Sequence, residues 1–292
     1  MSTTPVIEVD RLNLRYGEFH AVKDLSFEVR RGELYALLGT NGAGKTSTLE
    51  TVEGHRTPTS GFVRVFGRSP QDRRVVRPRM GVMLQESGFS PDLTVRESVR
   101  LIGNLTRRAD DVDRVLDIVD LTSRAGRRVS QLSGGEKRRL DFATAVYGTP
   151  ELIFLDEPTT GLDIQSRDDL WATVDRLREN GATIVLTTHY LEEAQQRADR
   201  IGLMHQGTLH REGTVSELTR TLPAVIRFSL PPAAPALPLP AVVDNGQAVV
   251  ETFGLQKDLH LLLGWAQDHA VELPDLQAGP TRLDDVFRAV GR

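Results

Sequence analysis

The sequence predicts an α/β fold built on a parallel sheet, and three observations predict it. Continuous apolar runs at Leu34–Leu38, Leu152–Leu155 and Ala182–Thr188 have the hydrophobicity of strands covered on both faces. Between the last two, Gln165–Glu179 sets Leu170, Val174 and Leu177 at helical spacing. A glycine-rich turn follows the first run and leads into Thr46–Val52, which reads as the start of a helix. Strands and helices alternating in this way imply parallel β-α-β connections.

Taken in order, Val6–Tyr16 and Ala21–Val29 are expected strands, with Gly17-Glu18 turning between them, and Phe62–Phe66 is another. Leu93–Asn104, Asp110–Asp120 and Lys137–Tyr147 are expected helices in an arginine-studded middle region. The composition changes near Thr221. Pro223–Pro240 is proline-rich, and Val242–Asp244 and Ala248–Val250 read as a hairpin around Asn245-Gly246. Leu255–His269 and Thr281–Val290 then read as helices. The expected organisation is one domain over residues 1–220, with a helical subdomain at about 86–150, and a small α+β domain over 221–292.

Composition narrows the function. The 292 residues are 39% hydrophobic and 26% charged, ordinary for a soluble globular protein. A net charge of -4 gives no reason to expect nucleic acid. The absence of cysteine excludes disulfides, thiolate metal sites and cysteine nucleophiles, and fits a reducing compartment. Met1–Asp10 lacks an apolar core segment, so no signal peptide is expected. The most apolar long window, Ala224–Val243, contains Arg227 and five prolines, which would break a spanning helix. Any membrane contact is expected through a partner. The runs Arg73, Arg74, Arg77, Arg79 and Arg124, Arg127, Arg128 are expected to be solvated faces.

The chemistry begins at Gly39-Thr40-Asn41-Gly42-Ala43-Gly44-Lys45-Thr46, which matches the spacing Gly-x4-Gly-Lys-[Ser/Thr]. Lysine occurs elsewhere only at 23, 137 and 257, so a lysine at the required place is no accident of composition. Glycines at 39, 42 and 44 are expected to take positive φ and bring backbone N–H groups against phosphate oxygens. The helix N-terminus adds partial positive charge there. Lys45 would reach the β- and γ-phosphates of a nucleotide, and the Thr46 hydroxyl would bind Mg²⁺. The strand at Leu152–Leu155 ends in Asp156 and Glu157, at the edge where ligands of open α/β sheets bind. Asp156 is placed to hold Mg²⁺, and Glu157 to orient and deprotonate an attacking water. Leu132-Ser133-Gly134-Gly135-Glu136 admits two readings: a capping box opening a helix, or an uncovered helix start that binds an anion.

Together these residues carry a family resemblance. The order of Tyr16, Gly39–Ser47, Gln85, Leu132–Glu136, Leu152–Glu157, Gly161-Leu162-Asp163 and His189 resembles the ATP-binding-cassette ATPases, over roughly residues 6–215. The resemblance implies a P-loop NTPase with an antiparallel β subdomain and a helical signature subdomain, joined here to the small α+β domain. It implies ATP and Mg²⁺ as ligands, with Asn41, Ala43 and Ser47 completing the phosphate loop. Tyr16 would stack on adenine, and Gln85 would touch Mg²⁺ and sense a transport partner. Ser133, Gly134 and Gly135 would meet the γ-phosphate held by the opposite protomer. Asp163 would couple the two sites, and His189 would hold the γ-phosphate and the water. The implied protein is a homodimeric ATPase subunit on the cytoplasmic face of a membrane, clamped on separate permease subunits.

A soluble cassette ATPase of translation or repair is a second reading. Translation-type members resemble two tandem cassettes, and only 86 residues lie between Lys45 and Leu132, too few for repair-type coiled-coil arms. The ending Leu283-Asp284-Asp285-Val286-Phe287 resembles that of antibiotic-exporter ATPases of the daunorubicin-resistance type. Export of a hydrophobic drug, antibiotic or lipid-like compound is therefore the expected role, with import as the alternative.

Overall fold

The computed structural model describes residues 4–85, 88–220, 222–232 and 234–290, the last three by backbone alone. The expected subdomain start at Glu86, the expected domain start at Thr221 and the side chain of Val290 lie outside the described residues. The chain divides into two compact units, Met1–Thr214 and Val215–Arg292.

The first unit opens with strands β1 (Ile7–Tyr16), β2 (Phe19–Val29) and β3 (Leu34–Gly39), helix α1 (Lys45–Val52) and strand β4 (Ser60–Val65). The short helix α2 (Arg73–Val76), strand β5 (Met80–Met83) and helices α3 (Val95–Thr106), α4 (Val112–Ile118) and α5 (Gly134–Val146) follow. It continues through β6 (Leu152–Asp156), α6 (Ile164–Glu179), β7 (Thr183–Thr187) and α7 (Leu191–Arg197), and ends in β8 (Arg200–His205) and β9 (Thr208–Gly213).

Six strands form the main sheet in the order β5-β6-β7-β3-β8-β9. Its pairings are parallel except the last, β8 with β9. β3, β6 and β7 are buried almost end to end, which is why they read as unbroken apolar runs. β3 lies between β7 and β8, so the loop leaving its carboxyl end emerges at the middle of the sheet. β2, β1 and β4 form a separate antiparallel sheet, with Tyr16 opposite Phe19 across the Gly17-Glu18 turn. Its inward residues Leu12, Leu14, Val22 and Leu25 share one buried cluster with Tyr35, Leu37 and Val52.

The second unit holds α8 (Val215–Thr219), β10 (Ala224–Ser229), β11 (Val242–Asp244), β12 (Gln247–Thr252), α9 (Leu255–Asp268), β13 (Gln277–Gly279) and α10 (Leu283–Val290). Its antiparallel sheet has the order β11-β12-β10-β13. Asn245 (φ 47°) and Gly246 (φ 78°) both take left-handed backbone between Asp244 and Gln247, the two-residue turn that Asn-Gly favours. Leu262, Trp265 and Ala266 of α9 pack on Ile226, Phe228, Ala248 and Val250, giving this unit its own core.

Several elements depart from expectation. β10 lies inside the proline-rich stretch: Ile226 and Phe228 face in and Arg227 faces out, a complete alternation before Pro231. β5, β8, β9 and β13 were not anticipated, because each is short or carries polar residues. α8 belongs to the second unit, so the division falls at Thr214–Val215. Two of the expected solvated arginines pair with carboxylates. Arg79 pairs with Glu151 at 2.6 Å and covers the Phe66 ring, and Arg124 donates to Glu136 at 2.7 Å.

Glu53 closes α1 and is buried; that burial, with the charges of Asp156 and Glu50, pushes its carboxyl up to about 8. A carboxyl near 4.5 in the unfolded chain therefore binds its proton more tightly in the fold. The stability this contributes is complete below the unfolded value and is lost as pH rises through the folded one. Glu53→Gln removes the titration. Without nucleotide, its melting temperature should exceed that of the wild type at about pH 8.5 and match it at about pH 5; a pH-independent difference would show that the carboxyl is not the cause.

Candidate active site

The loop after β3 is shaped by three glycines, for two different reasons. Gly42 (φ 76°) and Gly44 (φ 96°) take left-handed backbone, as expected, but Gly39 does not. A Cβ on Gly39 would lie 2.5 Å from the Met204 carbonyl oxygen, so it is the close approach of β8 that demands glycine there. Gly44 is the N-cap of α1; no side chain caps the helix, and its first turn has no acidic residue. An anion is the natural complement of such a helix start. Lys45 folds back over the loop, Nζ donating to the Gly39 carbonyl at 2.7 Å and the Thr40 carbonyl at 3.3 Å. Burial lowers its pKa, and the nearby carboxylates of Asp156 and Glu157 oppose that shift.

One cavity of about 330 Å³ is lined by Tyr16, Phe19, Ala21, Asn41–Ser47, Gln85, Asp156 and Glu157. Sequence positions from four separate segments thus meet in one place. Tyr16 donates to or accepts from Ser47 Oγ at 2.9 Å, and the Arg56 guanidinium lies 4.5 Å from its ring centre. Asp156 accepts a hydrogen bond from Thr187 on the next strand. Burial raises its pKa, and that hydrogen bond works against the rise. Glu157 leaves the strand in left-handed backbone (φ 48°), a conformation costly for a non-glycine residue. Its amide donates to the Thr187 carbonyl at 2.9 Å, which holds the turn. His189 Nδ1 lies 3.3 Å from Glu157 Oε1, and Thr160 Oγ1 donates to Oε2 at 3.5 Å.

Six expected site residues are not among those lining this cavity: Gly39 and His189, which adjoin it, and Ser133, Gly134, Gly135 and Asp163. Ser133 caps α5, accepting from the Glu136 amide at 3.2 Å while Glu136 accepts from the Ser133 amide at 2.8 Å. Arg124 and Ser133 together hold the Glu136 carboxyl down to about 2. The capping reading of this segment is therefore correct as local structure. A Cβ on Gly135 would lie 3.8 Å from the Gly161 carbonyl oxygen, so the segment adjoins the 161–163 turn. Asp163 caps α6, accepting from the Ser166 amide at 2.8 Å and hydroxyl at 3.1 Å, and these bonds lower its pKa.

Sequence reasoning missed Thr187, Arg56, Phe19 and Glu193. Glu193 is buried and accepts from Thr159 at 3.0 Å and Thr188 at 3.4 Å, tying the segment before Asp163 to the one before His189. Its place in the first turn of α7, four residues after His189, is the signal that could have revealed it.

A phosphate loop on a buried parallel strand, with paired carboxylates at the end of the next strand but one, defines a nucleoside triphosphatase of the phosphate-loop class. Residues 22–160 match the ABC transporter family model, and residues 224–281 match a model of an ABC transporter domain-containing protein-like C-terminal domain. The chain is 35% identical to daunorubicin resistance ATP-binding protein DrrA3 of Streptomyces coeruleorubidus, across 96% of this chain and 94% of that one. It is 42% identical to Nod factor export ATP-binding protein I of Paraburkholderia xenovorans, across 73% and 72% of the two chains. A solved ATP-binding subunit of an ABC transporter aligns with a TM-score of 0.70 and 27% identity, over 74% of this chain and 92% of its own. A dimeric cassette bound to ADP and phosphate aligns with a TM-score of 0.66 and 25% identity, over 71% and 98%. The chain belongs to the ATP-binding-cassette family and is an ATP-binding, ATP-hydrolysing subunit of an ABC transporter.

Crowding and left-handed backbone separate in a mutational test at Gly42 and Gly44. Gly44→Ala combines left-handed backbone with a Cβ 2.7 Å from the Ala21 carbonyl, whereas Gly42→Ala meets the same backbone demand in open space. Gly42→Ala should lose about 1 kcal/mol of stability, and Gly44→Ala about 2–3 kcal/mol or more. Equal losses by denaturant unfolding would show that the contact with Ala21 yields freely.

Proposed function

We propose that two copies of this chain close on ATP, each bringing its Ser133–Gly135 segment to the phosphate loop of the other, and thereby drive export. The exported compound is hydrophobic, drug-like or lipid-like, and it passes through separate transmembrane subunits. The observation that carries the dimer is the division of the site: loop and carboxylates line one cavity, and Ser133–Gly135 and Asp163 do not. The solved dimeric cassette supports it. Export is supported by the names of the relatives, daunorubicin resistance and Nod factor export. Among the described residues no helix is long and apolar enough to cross a membrane, in keeping with a peripheral subunit on the cytoplasmic face.

Within each site the roles follow from chemistry. Tyr16 stacks on the base. The Asn41–Ser47 backbone, with Lys45, receives the β- and γ-phosphates, where the uncapped start of α1 adds favourable charge. Thr46, Gln85 and Asp156 fit a divalent cation: they are hard oxygen donors lining one cavity, and burial disfavours the Asp156 charge unless a cation accompanies it. Bound Mg²⁺ would neutralise phosphate charge. Glu157 takes the proton of the attacking water, and His189, beside it at 3.3 Å, holds the γ-phosphate oxygen. Asp163 relays between the two sites. The 221–292 region is an accessory or dimerisation domain, since the phosphate-handling residues all precede it.

Glu157→Gln should bind ATP at wild-type affinity and accumulate as a closed dimer, with phosphate release slowed by on the order of a hundredfold or more. Near wild-type turnover would remove Glu157 from the role of base. Ser133→Asp retains a good helix cap while setting negative charge where the γ-phosphate belongs. Stability should change by less than about 1 kcal/mol while ATP-driven dimerisation fails in sedimentation; dimerisation that survives would leave Ser133 with its capping role alone.

A further inference from the structure

Arg138 sits on α5, five residues beyond the Ser133 cap, and its side chain is buried at 6% exposure. Its guanidinium donates to main-chain carbonyls of two segments. Nη1 reaches the carbonyl of Leu84 at 2.6 Å and of Gln85 at 3.2 Å. Nη2 reaches the carbonyls of Asp156 and, at 2.6 Å, Glu157, and Nε reaches that of Pro158 at 3.3 Å.

The position explains the geometry. β5 and β6 run parallel, and their last paired residues are Met83 and Leu155. Beyond that rung β5 ends while β6 runs one residue further against β7, so the carbonyls that faced each other across the pair need other donors. An arginine supplies five N–H groups in a rigid plane, so one side chain can serve two strand ends at once. Those two ends carry Gln85 on one side and Asp156 and Glu157 on the other. Asp141, on the same helix, lies 4.0 Å from Nη1 and offsets the charge.

We propose that Arg138 is a positioning residue for hydrolysis: it locks the signature helix α5 to the Gln85 and Asp156–Glu157 strand ends, so that engagement of Ser133 sets the catalytic side chains in register. The inference rests on the roles given above to Gln85, Asp156 and Glu157. A lysine has one nitrogen and cannot span both strand ends, although it keeps the charge. Misplacement of reacting groups by a fraction of an ångström lowers turnover far more than it lowers affinity.

The test compares Arg138→Lys and Arg138→Ala with Arg108→Lys. Arg108 is another buried arginine; it donates to the Thr144 and Ala145 carbonyls at the far end of the same helix, away from the carboxylates. For Arg138→Lys, the ATP dissociation constant should stay within about threefold and kcat should fall by roughly tenfold to a hundredfold. Arg108→Lys should lower the melting temperature with kcat retained. Guanidinium added at low millimolar concentration should restore part of the turnover of Arg138→Ala, and methylammonium should not. Wild-type kcat in Arg138→Lys overturns the proposal, as does a kcat loss that merely tracks melting temperature across the three variants. Glu157→Gln run alongside separates the two claims. If it is inactive while Arg138→Lys turns over normally, positioning alone fails; if Glu157→Gln itself turns over, the underlying assignment is at fault.

Discussion

Buried main-chain groups must find partners, and at the carboxyl edge of a parallel sheet the ladder no longer supplies them. β3, β6 and β7 are shielded on both faces up to that edge, so the requirement falls on whatever lies beyond. Here it is met by two partly or wholly buried cations. Lys45 donates to the carbonyls of Gly39 and Thr40, and Arg138 to those of Leu84, Gln85, Asp156, Glu157 and Pro158. An unsatisfied buried carbonyl costs about 1–3 kcal/mol. Lys45, proposed above to receive the phosphates, is thus also a donor to the loop that carries it, and Arg138 ties the two strand ends to α5.

The parts of this arrangement that were legible in the sequence are those in which backbone geometry dictates residue type. The phosphate loop was legible because only certain spacings of glycine, lysine and threonine can wrap a phosphate. Asp156 and Glu157 were legible because acids closing an apolar strand stand out. Gly39 was read correctly as a glycine position for the wrong reason, since crowding from the neighbouring strand cannot be seen in a linear sequence. Arg138 was invisible because an arginine among Lys137 and Arg139 on a helix reads as solvent-facing. Only the packing of α5 on the strand ends turns it inward. β10 was hidden by the prolines on either side of it, though Ile226-Arg227-Phe228 has the alternation of a half-buried strand.

The second unit shows a different balance. Its core is small, drawn from Ile226, Phe228, Ala248, Val250, Leu262, Trp265 and Ala266. α10 buries Leu283 and Val286, and packs against α8 of the same unit. The apolar ending that resembles exporter ATPases therefore has a local structural explanation. Any role for it in association would rest on what remains accessible, such as Phe253, which is 82% exposed.

The charges of the cavity limit what it can bind. Burial lowers the pKa of Lys45 and raises that of Asp156, so desolvation moves both toward their neutral forms. Their attraction for each other opposes both shifts but is the smaller effect. A triphosphate beside Lys45 favours the charged ammonium and so reverses the first shift. The same triphosphate, arriving alone, would disfavour the Asp156 carboxylate, which already lies beside Glu157. The divalent cation proposed above would compensate the carboxylate as the phosphates compensate the lysine. The charges therefore suit a nucleotide accompanied by a counter-cation, the arrangement proposed above for Thr46, Gln85 and Asp156.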